Sequence, residues 1–324
     1  MSKPVSAAEA ASFLLKNDNY TILTHAHPDG DTLGSAFALC AGLRALSKKA
    51  NVICPDDIPR KFEYLTVLGT EDFVPKTVIS VDVADEKLLG GLCEQYKGKI
   101  QLSIDHHGTN TGFAELMYLE GNSAAACECI YKVIKELNTE VTPFIASCLY
   151  TGIATDTGCF KFSNTTPGTH LFAAELMQAG ADFDNINRVM FEVKTRGRLE
   201  MERRVLDSIE FVCDGRCAIV TVTQSMIKET GCDSSDMDGI TALSRQIEGV
   251  QIGITVREKA DGNWKVSLRT FEPYNAADIC SVFGGGGHCR AAGCEFSCSA
   301  EEAKSQLKAV VCPLLSGENQ SEDI

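Results

Sequence analysis

Short apolar runs, each ending at a polar cluster and separated by stretches of helix length, leave the first half of this 324-residue chain few ways to fold. Residues 20–24, 51–54, 77–81 and 101–104 are such runs. Between them, residues 32–47 place Leu33, Ala36, Phe37, Cys40, Leu43 and Leu46 on one helical face, and residues 123–137 and 142–154 also read as helices. Short strands alternating with helices predict βαβ units and a mainly parallel sheet flanked by helices.

The texture changes after about residue 183. The stretch VMFEVKTRGRLEMERRVLDSIE is charged and helix-favouring, and reads as a helical linker. Beyond it, residues 209–213, 216–222, 250–256 and 264–269 read as strands, with Asp261, Gly262 and Asn263 marking a hairpin. A helical patch over 276–283 then runs into Gly284, Gly285, Gly286 and Gly287. The fold class expected is α/β. An N-terminal domain with the parallel sheet occupies residues 1–188, a helical linker 189–207, and a smaller α/β domain 208–324. The polar tail from Glu318 is expected to fray.

Charge narrows the partners. Lys and Arg total 30 against 44 Asp and Glu, a formal net charge of −14. That balance argues against coating duplex nucleic acid, which requires surplus cations. It leaves room for an enzyme acting on a small phosphorylated molecule. The first residues lack a signal-peptide pattern, and no apolar run is long enough to span a bilayer. The 15 cysteines contain no CxxC pair, so zinc-finger spacing is absent, and all are expected to be reduced thiols of a cytoplasmic protein.

Five of the six histidines sit beside an acidic or glycine cluster at the end of a predicted element. The segment THAHPDGD brings His25, Asp29 and Asp31 onto one turn, where an imidazole and two carboxylates can converge on a hard or borderline divalent ion such as Mn²⁺. The same turn also reads as a strand-to-helix connection, with Asp31 capping a helix from Thr32. Asp82 ends a second apolar run, IDHHG follows another, and Asp156 follows an apolar helix. Asp82 and Asp156 each have a bland reading as a turn or cap, whereas two adjacent histidines after an aspartate are rarely explained by packing. Together, His25, Asp29, Asp31, Asp82, His106 and Asp156 supply two imidazoles and four carboxylates, an inventory that fits two divalent ions sharing a bridging carboxylate. Four consecutive glycines are not expected to serve packing and let backbone approach an anionic ligand. Such a run alone also suits a flexible linker, and the flanking Val282, Phe283, Ala291 and Ala292 favour a fixed loop.

These residues resemble the DHH phosphoesterase superfamily. The motifs that carry the likeness are HAHPDGD, the strand-end Asp82, DHH (Asp105, His106, His107), TDTG and the C-terminal FGGGGHCRAAG, in order over almost the whole chain. The chain is similar to that superfamily's short two-domain oligoribonucleases and pAp phosphatases. The resemblance implies that His25 and Asp29 hold one metal, that Asp31, His106 and Asp156 hold the other, and that Asp82 bridges both. The two ions are usually Mn²⁺. It implies Asp105 as the support of a ligand histidine and His107 facing the substrate phosphate. Arg269, Gly284, Gly285, Gly286, Gly287, His288 and Arg290 would bind substrate in a DHH-associated domain that closes over the catalytic one. His27 and His170 fall outside the motif ligands.

The function implied is metal-dependent hydrolysis of very short oligoribonucleotides and of the 3′-phosphate of adenosine 3′,5′-bisphosphate. Partners would be short RNA or small phosphorylated nucleotides, with neither membrane nor duplex DNA, in a chain that can form a homodimer. The alternative is a soluble phosphodiesterase acting on cyclic dinucleotides or pApA. A RecJ-type exonuclease and a family II pyrophosphatase rank lower, since the former are longer and the latter lack GGGGH. A non-catalytic nucleotide-binding regulator is the reading from another class. It ranks last because all six ligands are present.

Overall fold

Strand pairing in the computed structural model grows out of the apolar runs. Residues 2–232, 237 and 239–317 are described, so the tail from Glu318 lies outside the described residues. The chain divides into two units, Met1–Val193 and Lys194–Ile324.

The first unit runs β1 (Lys3–Pro4), α1 (Ala7–Lys16), β2 (Tyr20–Leu23), α2 (Gly30–Ala45), β3 (Ala50–Ile53), β4 (Thr77–Val81), α3 (Cys93–Tyr96), β5 (Leu102–Asp105), β6 (Leu116–Leu119), α4 (Ala126–Glu136), α5 (Pro143–Asp156), α6 (Pro167–Gln178) and α7 (Phe183–Asn187). Its six strands form one sheet in the order β1-β6-β5-β4-β2-β3, with every neighbouring pair parallel. All four residues of β2 and of β5 are buried, as expected of a sheet covered on both faces. The chain leaves β2 for β3 on one side and returns to β4 on the other. This reversal opens a crevice at the carboxyl ends of β2 and β4, where ligands of open α/β sheets bind.

Helix α2 is buried nearly all round, because it packs against both α4 and α5. It begins at Gly30 and not at Thr32, and its N-cap is Asp29 and not Asp31. The Asp29 Oδ1 accepts from the Asp31 and Thr32 amides at 3.0 and 3.1 Å. Asp31 is turned inward and does not cap. Strand β6, which lies between β5 and the edge strand β1, and the capping box of Ser6 and Glu9 that starts α1 were not part of the expected layout.

The second unit contains α8 (Arg196–Asp207), β7 (Glu210–Val212), β8 (Cys217–Val222), α9 (Gln224–Thr230), β9 (Ile252–Glu258), β10 (Trp264–Thr270), α10 (Ala276–Ser281), β11 (Gly286–His288), β12 (Ala291–Phe296) and α11 (Ala300–Ser316). Its sheet, in the order β11-β12-β10-β9-β8-β7, is antiparallel except where β8 meets β9. The β9–β10 hairpin turns at Asp261, Gly262 and Asn263. Along β10, Val266 and Leu268 are fully buried, each contributing about 2 kcal/mol, while Lys265, Ser267 and Arg269 alternate onto the other face. The segment read as a linker is shared between the units. Met190 and Phe191 pack on the first core, and Met201 and Val205 of α8 are buried against Val220, Val222 and Ile240.

One cysteine expectation is overturned. Cys213 and Cys312 form a disulfide across a separation of 99 residues, because the turn after β7 lies beside α11, at a Cα–Cα distance of 5.3 Å. The other 13 cysteines are free. Among the described residues, no helix is long and apolar enough to cross a membrane.

Candidate metal centre

Strands β2, β4 and β5 are neighbours and end on one edge of the sheet, and each is followed directly by site residues. His25 follows β2, Asp82 follows β4, and His106 follows β5. Asp29 and Asp31 sit at the start of α2, and Asp156 is the last residue of α5.

These six side chains meet in two trios. His25 Nε2 lies 3.7 Å from Asp29 Oδ1 and 3.5 Å from Asp82 Oδ2. His106 Nε2 lies 3.7 Å from Asp31 Oδ2, 3.6 Å from Asp156 Oδ2 and 3.6 Å from Asp82 Oδ1. In each of the groups His25–Asp29–Asp82 and Asp31–His106–Asp156 the donor atoms lie within 4.8 Å of one another. Asp82 therefore turns one oxygen toward each histidine.

The ring nitrogens away from the cluster are anchored. His25 Nδ1 donates to the Ala26 carbonyl at 2.8 Å, and His106 Nδ1 to the Ser123 carbonyl at 3.1 Å. A carbonyl only accepts, so each Nδ1 carries a proton, and Nε2 is the nitrogen left to face a cation in the cluster. Asp31 accepts from the Ala126 and Cys127 amides at the start of α4, at 2.6 and 2.9 Å, where the helix dipole favours its negative charge. Asp105, fully buried, accepts from the His106 amide at 2.8 Å, from His107 Nδ1 at 2.8 Å and from Asn110 Nδ2 at 2.6 Å. The sequence reading missed Asn110 and the α4 amides. Asn110 had a visible signal, a polar side chain three residues beyond the double histidine. The amides carry no side-chain signature at all.

Crowded carboxylates perturb one another. Burial and the Asp31 charge hold the Asp82 carboxyl well above the usual carboxylate range. Burial, with Asp31 and Asp29, pushes Asp156 up to about 8. Burial opposes protonation of His25, but its hydrogen bonds to Asp29 and Asp82 win and raise it to about 11. The hydrogen bond to Asp105 raises His107 to about 9. Burial works against the Asp105 carboxylate, yet the hydrogen bonds from His107 and Asn110 hold it below its ordinary value.

This arrangement fits divalent cations. Asp82 is 3% exposed, and its buried Oδ1 has no hydrogen-bond partner among the described residues, a deficit of about 1–3 kcal/mol that a cation removes. Carboxylate oxygens with imidazole nitrogens suit hard or borderline ions. Among the described residues, no group containing cysteine qualifies as a metal site.

The pH dependence of the metal-free protein has a definite sign. A raised folded-state value means stability that is present at low pH and lost as pH rises. Asp156 withdraws stability between its ordinary 3.8 and about 8, and His25 between 6.5 and about 11. The melting temperature of chelator-treated protein should therefore fall as pH rises from 6 to 9. Saturating divalent ion should abolish that fall, because the cation replaces the protons. Scanning fluorimetry with and without ion measures both slopes, and identical slopes would refute the account.

The remaining predicted residues lie elsewhere. His27 is exposed, with Nδ1 at 3.2 Å from Asp56, and His170 stacks on Phe160. In the second unit, Arg269, Lys265, Ser267 and Gly284–Gly287 line a pocket of about 610 Å³. Burial and the Arg245 charge lower the pKa of Arg269. His288 and Arg290 are not among the lining residues. His288 is exposed on β11, and Arg290 donates to Glu272 at 2.6 Å and to the Tyr274 carbonyl at 2.8 Å. The glycine run is also corrected. It is not wholly a loop, since Gly286–His288 pairs with β12, and packing accounts for half of it. A Cβ on Gly285 would stand 2.2 Å from the Gly293 carbonyl oxygen, and one on Gly287 2.6 Å from that of Ala291.

Comparison with known proteins follows the same division. The model of the DHH family N-terminal domain matches residues 19–153, and that of the DHHA1 domain matches residues 215–315. The chain is 33% identical over 279 residues to the bifunctional oligoribonuclease and PAP phosphatase NrnA of Thermus thermophilus, covering 84% of this chain and 82% of the relative. It is 28% identical over 306 residues to the protein of the same name from Mycoplasma genitalium, covering 90% and 92%. In fold it is similar to an exopolyphosphatase-related protein from Bacteroides fragilis, with a TM-score of 0.83 at 24% identity over 96% and 97% of the chains.

Proposed function

Because this chain belongs to the DHH family of phosphoesterase hydrolases and carries a DHHA1 domain, we propose that it hydrolyses very short oligoribonucleotides and the 3′-phosphate of adenosine 3′,5′-bisphosphate, using two divalent ions. The observation that carries this reading is Asp82, with one oxygen toward each histidine-containing trio. Relatives at this level of identity are named for both activities. The net charge of −14 supports short substrates over long polyanions.

In the proposed division of labour, His25 and Asp29 hold one ion, Asp31, His106 and Asp156 hold the other, and Asp82 serves both. When bound, such ions supply an acidified water as nucleophile and Lewis-acid stabilisation of the phosphoryl oxygens, Mn²⁺ being the ion proposed. Asp105 and Asn110 fix the ring of His107, which keeps a proton at neutral pH and directs its Nε2–H at the substrate phosphate. The first unit is proposed as the catalytic domain and the second as the substrate-binding domain. There Arg269 and the glycine strand hold an anionic group of the nucleotide, with His288 and Arg290 on the same strand and its turn.

The deciding experiment is a substrate panel with purified protein in Mn²⁺, in Mg²⁺ and in chelator. The expected result is mononucleotide release from pApA and inorganic phosphate release from adenosine 3′,5′-bisphosphate, both lost in chelator. Failure to cleave either substrate in any divalent ion, with cleavage of pyrophosphate or cyclic dinucleotides instead, would overturn the assignment.

A further inference from the structure

We propose that Phe162 is a stacking platform for a nucleobase of the substrate, a specificity contact beside the metal centre. The inference rests on the reading that the substrate is a nucleotide.

Phe162 belongs to a turn that leads directly out of the site. After Asp156 the chain folds back on itself. The Cys159 amide donates to the Ala154 carbonyl at 2.7 Å, and the Phe162 amide to the Thr157 carbonyl at 2.9 Å. Asn164 Nδ2 then donates to the carbonyls of Asp156 at 3.2 Å and Ala124 at 3.0 Å. Both ends of the turn are thus tied to Asp156 and to the segment that enters α4, whose first amides hold Asp31. A side chain in this turn keeps a fixed place relative to the second trio.

The two aromatic residues of the turn are treated differently. Phe160 packs against the core and stacks on His170, with ring centroids 5.2 Å apart and planes at 25°. Phe162 remains 53% exposed and pairs with no other ring among the described residues. Its orientation follows from Gly158. A Cβ built there would lie 2.4 Å from Phe162 Cζ, 2.6 Å from Cε1 and 2.7 Å from Cε2. Three nearly equal distances place that point above the ring face. A point beyond the ring's edge would be much farther from the two ε carbons than from Cζ. The ring therefore lies flat on Gly158, at a position where a side chain would lift it, and about half of the residue stays exposed. A large apolar ring held flat by backbone and half exposed suits a base, since every base has a π-face.

Two measurements on the full-length protein test this. In Phe162→Trp loaded with Mg²⁺, adenosine 5′-monophosphate should quench fluorescence beyond the background of Trp264, and ribose 5-phosphate should not. In kinetics, Phe162→Ala should raise KM for pApA about tenfold while Phe162→Tyr restores it, and the abasic analogue of pApA should show less than about a twofold change. Equal KM in Phe162→Ala, or equal quenching by both ligands, would overturn the platform. Wild-type protein inert toward pApA would remove the hydrolytic reading instead, and the fluorescence contrast would still decide the role of Phe162.

Discussion

Replacing Asp82 with alanine is expected to lower turnover of pApA by about a thousandfold or more, equivalent to about 4 kcal/mol of transition-state stabilisation. The metal-free protein should nonetheless stay folded. The carboxylate is 3% exposed, it faces both histidines, and one of its oxygens lacks a hydrogen-bond partner among the described residues. Without cations it is a buried charge repelled by Asp31, which is why its pKa stands well above the usual range. Removing it relieves that repulsion. The backbone works in the opposite direction, because Asp82 has φ of 58°, a left-handed conformation in which alanine is strained by about 1 kcal/mol. Asp82→Gly keeps the relief and avoids the strain. The order of metal-free melting temperatures should therefore be Asp82→Gly above Asp82→Ala, with neither variant gaining the shift that divalent ion gives the wild type. Calorimetric ion titration and melting curves measure this. Full activity in Asp82→Ala would rule out the shared ligand.

Gly152→Ala is the second large effect, although it adds a single methyl group. At Gly152, α5 passes so close to α2 and α4 that a Cβ would lie 2.2 Å from Cys127 Sγ, 2.7 Å from Asp31 Oδ1 and 3.0 Å from Asp31 Cα. Overpacking of this kind destabilises by about 1–3 kcal/mol, and here it also displaces a proposed ligand. We expect a lower urea midpoint together with loss of activity. The double variant Gly152→Ala/Cys127→Ala separates the two effects. Removing the sulfur should restore most of the midpoint, whereas activity should stay low because the methyl group still meets Asp31. Recovery of both by the second substitution would show that Asp31 tolerates the displacement.

Part of this molecule was legible in one dimension. Strands β4 and β5 are apolar runs stopped by Asp82 and by the histidine pair, so both the strand and the position of its functional end show in residue type. The β9–β10 hairpin was equally plain, because Asp, Gly and Asn punctuate it. Strands β11 and β12 were not, since glycines and alanines carry little strand propensity, and β11 exists only because Gly285 and Gly287 let the backbone approach β12. The helical stretch around residues 189–207 was visible as helix, but its buried Met201 and Val205 faces were not.

The sequence by itself determined the alternation of elements, the residue types offered at each strand end and the family to which they point, because these are short-range patterns in chemistry and periodicity. Only the tertiary structure decided which atoms meet. The chain reversal between β2 and β4 brings His25 to Asp82. The start of α4 reaches Asp31 across 95 residues, and Cys213 finds Cys312 across 99. Those contacts depend on how buried helices such as α2 pack between distant segments. Packing is a property of the whole fold, and no local pattern encodes it.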